Sequence, residues 1–433
     1  MPASVILPLI LLVLILGSGA WVGLGLVGIG VVSLEIFRSM PVEKLLAQAM
    51  WNGLSSPELL ALPLFIMMAE LLYRSRFIDG LFEALEPWLR YLPGGLLHIN
   101  IVGCTLFALI SGSSAATTSS VGRITINELR DRGYDEQLTY GTLAGAGTLG
   151  FLIPPSIVMI IYGVLSQTSV LKLFAAGLVP GLLLALCFMG FVMIMAVLKP
   201  EKFGTAEATD ENIWRTRFTR LPKLLPFMAL MTAILGSMYS GIASPTEAAA
   251  VAVVATVGIM AIEGSLSITA LSAAAIGTSR TVSMLGLIIA AASFLSVAMG
   301  FLGMPQAIER YIESLDLAPL MLILLLIVIY VVLGSFLEGM SIIVITIPIA
   351  LPLVLNAGYD QVWFGVFLIL MVELAQISPP VGMNLFVLQG LARKPLNQIV
   401  RAALPFFLIM LSFVILLALV PSLVTWLPNL LLG

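Results

Sequence analysis

The chain has 433 residues, 60% hydrophobic and only 10% charged, with a formal net charge of −3 and a mean hydropathy of +1.12. That balance excludes a soluble globular domain. Apolar runs of about 15 to 25 residues recur from Ser4 to Leu432 without the alternation of an outer-membrane barrel, so an all-α polytopic membrane protein is expected.

In chain order, Ser4 to Gly17 and Ala20 to Leu34 predict one long helix or two short ones around Gly17-Ser18-Gly19. The first run lacks a basic leader and a small-residue cleavage site, and is expected to be a retained helix. Pro41 to Gly53 predicts a helix lying in the interface, and Glu58 to Tyr73 a span. Arg74 to Pro93 mixes charge with Phe77, Phe82 and Trp88, an amphipathic arm. Leu96 to Ile110 re-enters, and Ser111 to Ser120, all small or hydroxylated, predicts a re-entrant hairpin tip. The alternative there is a small-residue packing face.

Arg123 to Gln137 reads as a hydrophilic loop. Leu138 to Ile153, Pro154-Pro155 and Ser156 to Leu165 predict a broken helix, and Leu171 to Leu198 a span. Lys199 to Lys223 is the long polar linker. Beyond it, Leu224 to Tyr239 and Pro245 to Ile262 predict helices, Ser267 to Thr281 a second interfacial helix, and Val282 to Leu302 a span. Pro305 to Asp316 is a second arm, and Ala318 to Val354 a second hairpin around Gly334 to Ser341. Val362 to Ile377, Pro379-Pro380 and Val381 to Leu391 predict a second broken helix, and Ala402 to Leu427 closes the chain.

The punctuation repeats. Gly133-Tyr134-Asp135, Pro154-Pro155 and Pro180 return 225 residues later as Gly358-Tyr359-Asp360, Pro379-Pro380 and Pro405. Two similar halves follow: 1–198, with a hairpin near 96–126 and a broken helix near 138–165, and 224–433, with a hairpin near 318–355 and a broken helix near 362–391. Residues 199–223 join them in the cytoplasm. Basic residues are concentrated on one member of each pair of matching loops, as inverted topology requires: Arg123, Arg130 and Arg132 have no counterpart in Asn356 to Gln361, and the first arm has three Arg against Arg310 alone in the second.

Prolines at two successive helical positions remove two N–H donors, leaving the carbonyls of Gly150 and Phe151, and of Ala375 and Gln376, without helical partners. Bare carbonyls in hydrocarbon cost several kcal/mol, and a Na⁺ held by oxygens relieves that. Ser111, Ser114 and nearby carbonyls could complete one site, and those around Gly334, with Ser378, the other; the alternative is a pair of proline kinks healed by neighbours. Glu70, Glu247, Glu338 and Glu373 lie in or beside apolar segments and are functional candidates as proton carriers or structural groups, Glu338 and Glu373 foremost. Cys104 and Cys187 read as buried hydrophobes, and with His98 the single histidine no transition-metal or haem site is expected.

Ser111-Gly-Ser-Ser-Ala-Ala-Thr-Thr118, Gly150-Phe-Leu-Ile-Pro-Pro-Ser156, Ile242-Ala-Ser-Pro-Thr-Glu-Ala-Ala-Ala250 and Ser378-Pro-Pro-Val-Gly-Met-Asn384 resemble the large membrane subunit of tripartite ATP-independent periplasmic (TRAP) transporters, across essentially the whole chain. The resemblance implies an elevator-type carrier of the ion-transporter superfamily in a bacterial inner membrane, moving an organic acid on a Na⁺ gradient. A small four-helix membrane subunit, here a separate chain, and a periplasmic substrate-binding protein are the implied partners. By motif position the first Na⁺ site would use Ser111, Ser114, Gly150, Ile153 and Pro155, and the second Gly334, Leu337, Ala375, Ser378 and Val381. Ala375 and Ser378 depart from the family's usual Gly and Thr.

A proton-coupled or stand-alone carrier is the alternative within transporters. An intramembrane enzyme is not expected, since neither HExxH nor GxSxG occurs, and no nucleic-acid partner is expected. Which carboxylate is carried is not legible.

Overall fold

A computed structural model describes residues 3–17, 21–75, 77–204, 213–314, 317–337, 339–380 and 382–432, all helix, turn and loop. The first helices are α1 (Ala3–Gly17), α2 (Val22–Phe37), α3 (Val42–Leu54), α4 (Ala61–Leu72), α5 (Phe77–Leu89), α6 (Leu97–Ser111) and α7 (Ser114–Asp131). Next come α8 (Glu136–Thr148), α9 (Ile157–Ser166), α10 (Val170–Leu198), α11 (Ile213–Arg220), α12 (Leu225–Tyr239), α13 (Pro245–Ile262) and α14 (Ile268–Phe301). The chain ends in α15 (Met304–Glu313), α16 (Pro319–Gly334), α17 (Gly339–Asn356), α18 (Gln361–Gln376), α19 (Met383–Ala392), α20 (Leu396–Leu419) and α21 (Ser422–Leu432). Among the described residues six helices are long and apolar enough to cross a membrane, or seven if α3 and Pro57–Leu72, bent by 59°, form one span.

Apolarity on every face makes α18 the centre: every residue from Trp363 to Gln376 is buried, as expected of a helix without a polar side. Its companion α8 is buried through smallness. A Cβ on Gly145 would stand 2.8 Å from the Phe406 Cβ, and one on Gly141 2.8 Å from the Phe406 ring, so α20 lies directly on the α8 backbone. Outside this core, α14 packs along α2, α3 and α4, and α4 along α13.

The repeated punctuation becomes repeated local conformation. Gly133 and Gly358 both take positive φ, +79° and +87°, where a side chain would be strained. Asp135 and Asp360 then cap α8 and α18, each accepting a backbone N–H at 3.0 Å, from Leu138 and Trp363. Both Pro-Pro peptides are cis, α9 and α19 are ten residues each, and left-handed Gln167 and Arg393 end them. Pro180 and Pro405 both sit inside helices, α10 and α20.

Several elements differ from expectation. The first hairpin tip is only Gly112-Ser113; Ser114 to Ser120 begin α7, because Thr117 donates its hydroxyl back to the Ser113 carbonyl at 2.9 Å and so needs no loop. Arg123 to Asp131, expected as loop, completes that helix. The interfacial helix and span predicted at 267–302 form one helix, α14, since nothing between Thr281 and Val282 interrupts it. The linker is not purely extended: α11 lies against α5, where Arg217 stacks on Trp88 at 5.0 Å and donates to the Pro87 carbonyl at 3.0 Å. Cys104 is buried, but Cys187 is exposed on the outer face of α10.

Candidate functional site

At the first break, α8 stops at Thr148 and α9 starts at Ile157, with Ser156 capping α9 through the Met159 N–H at 3.3 Å. The hairpin tip presses into the gap. A Cβ on Gly112, itself left-handed at φ +54°, would stand 3.3 Å from the Pro155 carbonyl oxygen, and one on Gly150 3.3 Å from the Ser113 carbonyl oxygen. Ser111 Oγ lies 2.7 Å from Thr117 Oγ1 and 3.2 Å from the Ser113 carbonyl oxygen. Backbone and hydroxyl oxygens therefore crowd together where two helices begin and two end. The Phe151 carbonyl accepts the Ser156 hydroxyl at 2.5 Å, which gives it the partner that the proline removed. Among the described residues no donor reaches the Gly150 carbonyl.

At the second break α18 stops at Gln376 and α19 starts at Met383. Gly334, ending α16, fits against the break: its Cβ would stand 2.5 Å from the Ala375 Cβ. Ser335 Oγ and Ser378 Oγ are 3.4 Å apart, joining the turn after α16 to the break. A Cβ on Gly382 would approach the Gln376 and Ser378 carbonyl oxygens at 2.7 and 2.9 Å, so this turn folds its carbonyls inward. The Ala375 carbonyl accepts the Ser378 N–H at 3.2 Å and is not bare. Pro154-Pro155 are buried, whereas Pro379-Pro380 are exposed.

Between the breaks lies Glu373, fully buried on α18. Among the described residues neither of its carboxyl oxygens has a hydrogen-bond partner. Ser114 Oγ, Thr118 Oγ1 and both polar atoms of Asn384 are also buried without partners among the described residues. Such groups are costly to bury without a partner, which makes the surroundings of the two breaks candidates for a bound ion or water.

A cavity of about 840 Å³ opens between α3, the turn at Ser56, the end of α9, α14 and α17. Its polar wall includes Asn52, Glu58, Gln167, Thr168, Ser293 and Ser296. The volume falls within the range of small-molecule sites.

Residues 7–423 match the family described as Tripartite ATP-independent periplasmic transporter, DctM component. The chain belongs to that family. It is 35% identical over 372 residues to the C4-dicarboxylate TRAP transporter large permease protein DctM of Pseudomonas aeruginosa, covering 86% of each. It is 30% identical to the isethionate TRAP transporter permease protein DctMQ of Oleidesulfovibrio alaskensis, covering 97% of this chain but 65% of that longer one. The fold resembles the crystal structure of the Alcanivorax borkumensis YdaH transporter, with TM-score 0.64, 15% identity and 88% of each chain covered.

In this DctM-family chain the hairpin tip between Ser111 and Ser114 meets the first break, Gly112 at Pro155 and Ser113 at Gly150, while the Ile153 side chain packs on Gly181 of α10, leaving its backbone as the ligating candidate. In the second set Gly334 meets Ala375, Ser378 meets Ser335, and Leu337 follows in the same turn. Val381 and Glu338 lie outside the described residues. Thr117, Ser335 and Asn384 were not singled out, although each stands inside or beside a quoted motif. Glu70 is accounted for structurally, paired with Arg74 and packed on Gly277 of α14. Glu247 is a cap: its carboxylate accepts the Ser244 N–H at 2.8 Å in a capping box.

Proposed function

We propose that this TRAP large membrane subunit carries a small organic acid into a bacterial cell across the inner membrane by Na⁺-coupled, elevator-type alternating access. A periplasmic binding protein delivers the cargo, and a small membrane subunit braces the moving domain. The observation carrying the reading is the oxygen-rich junction at the first break, where Gly112 meets the Pro155 carbonyl and Gly150 meets Ser113. Hard oxygen donors without a dedicated carboxylate suit a monovalent alkali ion. The second junction, Gly334–Ala375 with Ser335–Ser378, supports a second ion. The recurrence of caps, breaks and left-handed helix ends supports two repeats of inverted topology.

Each Na⁺ moving inward gains about 2.3 kcal/mol per 100 mV, so two ions can concentrate a monoanion without ATP. The test is uptake by proteoliposomes holding both membrane subunits. The binding protein is loaded with the cargo that a ligand screen on it returns. A Na⁺ gradient should drive accumulation; equal uptake without the gradient would sink the reading.

A second reading, proton coupling, draws on Glu373, whose carboxyl is fully buried and, among the described residues, without a hydrogen-bond partner. Glu373→Gln separates the two. Uptake that keeps its Na⁺ dependence and pH profile favours the sodium reading, and loss of the pH dependence favours the proton.

A further inference from the structure

The 840 Å³ cavity has a distinctive charge inventory. Among the described residues on its wall, Glu58 is the sole charged side chain; no lysine, arginine or histidine lines it. Ser56 donates its hydroxyl to Glu58 and so holds the carboxylate in place. The other polar groups are neutral donors and acceptors: Asn52 on α3, Gln167, Thr168 and Ser169 in the turn after α9, and Ser293 and Ser296 on α14. Lys172 and Glu247, next to the lining in sequence, are exposed, as Glu58 itself is, and are of opposite sign, so together they add no net charge beside the wall.

Glu58, Asn52, Gln167 and Ser296 are exposed at the mouth of this space, so a dianion there keeps part of its hydration, but it meets no cation on the described wall and one carboxylate that repels it. A zwitterion meets complementary groups at both ends: serine, asparagine and threonine donors for its carboxylate, and Glu58 for its positive end. A charge-assisted bond to a carboxylate is roughly twice as strong as a neutral one. Gln167, the left-handed residue that ends α9 as Arg393 ends α19, forms part of the cavity wall. Gly53 brings α3 so near α14 that a Cβ there would collide with Ser293 Oγ, which sets two polar walls side by side.

We infer that this cavity takes an organic acid bearing a cationic nitrogen, with Glu58 receiving the nitrogen and the neutral donors holding the carboxylate. The inference rests on the reading of the chain as an organic-acid carrier, and narrows its cargo to amino or imino acids in the broad chemical sense.

The test uses the full chain in nanodiscs, with Cys187→Ser to remove the exposed thiol and Ser296→Cys as reporter. Rates of modification by a trimethylammonium and a sulfonate methanethiosulfonate are compared with those of a free thiol in solution. The cationic reagent should be favoured by about tenfold over the solution ratio, the low end of focusing in a cleft of one sign. Glu58→Gln should remove that preference and Glu58→Asp keep it.

Labelling by neutral methyl methanethiosulfonate is then slowed with 4-aminobutyrate, succinate or butyrate, which share a chain length and differ at one end. Protection by 4-aminobutyrate alone, lost in Glu58→Gln, is expected. A sulfonate preference, or a ratio that Glu58→Gln leaves unchanged, overturns the charge assignment. Protection by succinate equal to that by 4-aminobutyrate overturns the cargo class and leaves the carrier reading standing. Protection by none of the three, with the cationic preference intact, removes the cavity as the cargo's seat.

Discussion

Gly334 and Ala375 share a single contact surface, where a Cβ on the glycine would lie 2.5 Å from the alanine's. In the first break the residue 225 positions before Ala375 is Gly150, and it rests against Ser113 instead. The methyl of Ala375 is tolerated because Gly334 lacks one. Gly334→Ala should therefore destabilise the chain by about 1–3 kcal/mol, as overpacking does, and Ala375→Gly in the same chain should restore most of it. Thermal unfolding of the four members of this double-mutant cycle measures the coupling. Additive effects would show that the two residues do not meet.

Ser111 and Thr117 hold each other at 2.7 Å beside the first break. If that junction holds Na⁺, Ser111→Ala removes one oxygen and raises the Na⁺ concentration for half-maximal uptake by about tenfold, a 1.4 kcal/mol loss. Thr117→Val should weaken Na⁺ less, through the lost orientation of Ser111. The readout is the Na⁺ dependence of initial uptake rates at saturating loaded binding protein.

Asp135 and Asp360 cap α8 and α18 in the same way, so Asp135→Ala and Asp360→Ala should each cost about 1 kcal/mol. Asn at either position should keep most of that stability. Denaturation midpoints of the purified chain check both; an effect at one position only would mean that the caps are not equivalent.

On the arm helix α5 the Lys223 ammonium hydrogen-bonds Glu83 and holds its carboxyl below the usual carboxylate range. A depressed folded-state value means that the pair's contribution is complete above the unfolded value of about 4.3 and is lost as pH falls through the folded value. The pair is half exposed, so the effect is small. The difference in unfolding midpoint between the native chain and Glu83→Gln should be constant from about pH 8 to 6 and shrink toward about pH 3. A difference that grows on acidification would contradict the pairing.

Much of the scaffold was legible in the letters. Glycine at positive φ, aspartate at a helix start and paired prolines are local devices whose conformations depend on a few neighbouring residues. That is why Gly133, Asp135 and Pro154 do in the structure what their counterparts Gly358, Asp360 and Pro379 do. Composition settled the membrane class for a similar reason, because transfer free energy adds along the chain wherever each helix is placed.

Other features depend on what lies opposite. Whether Ser114 to Ser120 turn or coil, which carbonyls find substitute partners, and why Ala375 is accepted were decided by contacts across the chain. The neutral walls around Glu58 come from four separate regions, α3 with its following turn, the end of α9, α14 and α17, and no local pattern announces them. Sequence alone determined the membrane class, the Pro-Pro breaks and the recurrence of their punctuation, because those follow from backbone chemistry and hydration. Only the tertiary structure decided the site, since packing distances and the charge of a cavity belong to residues far apart along the chain.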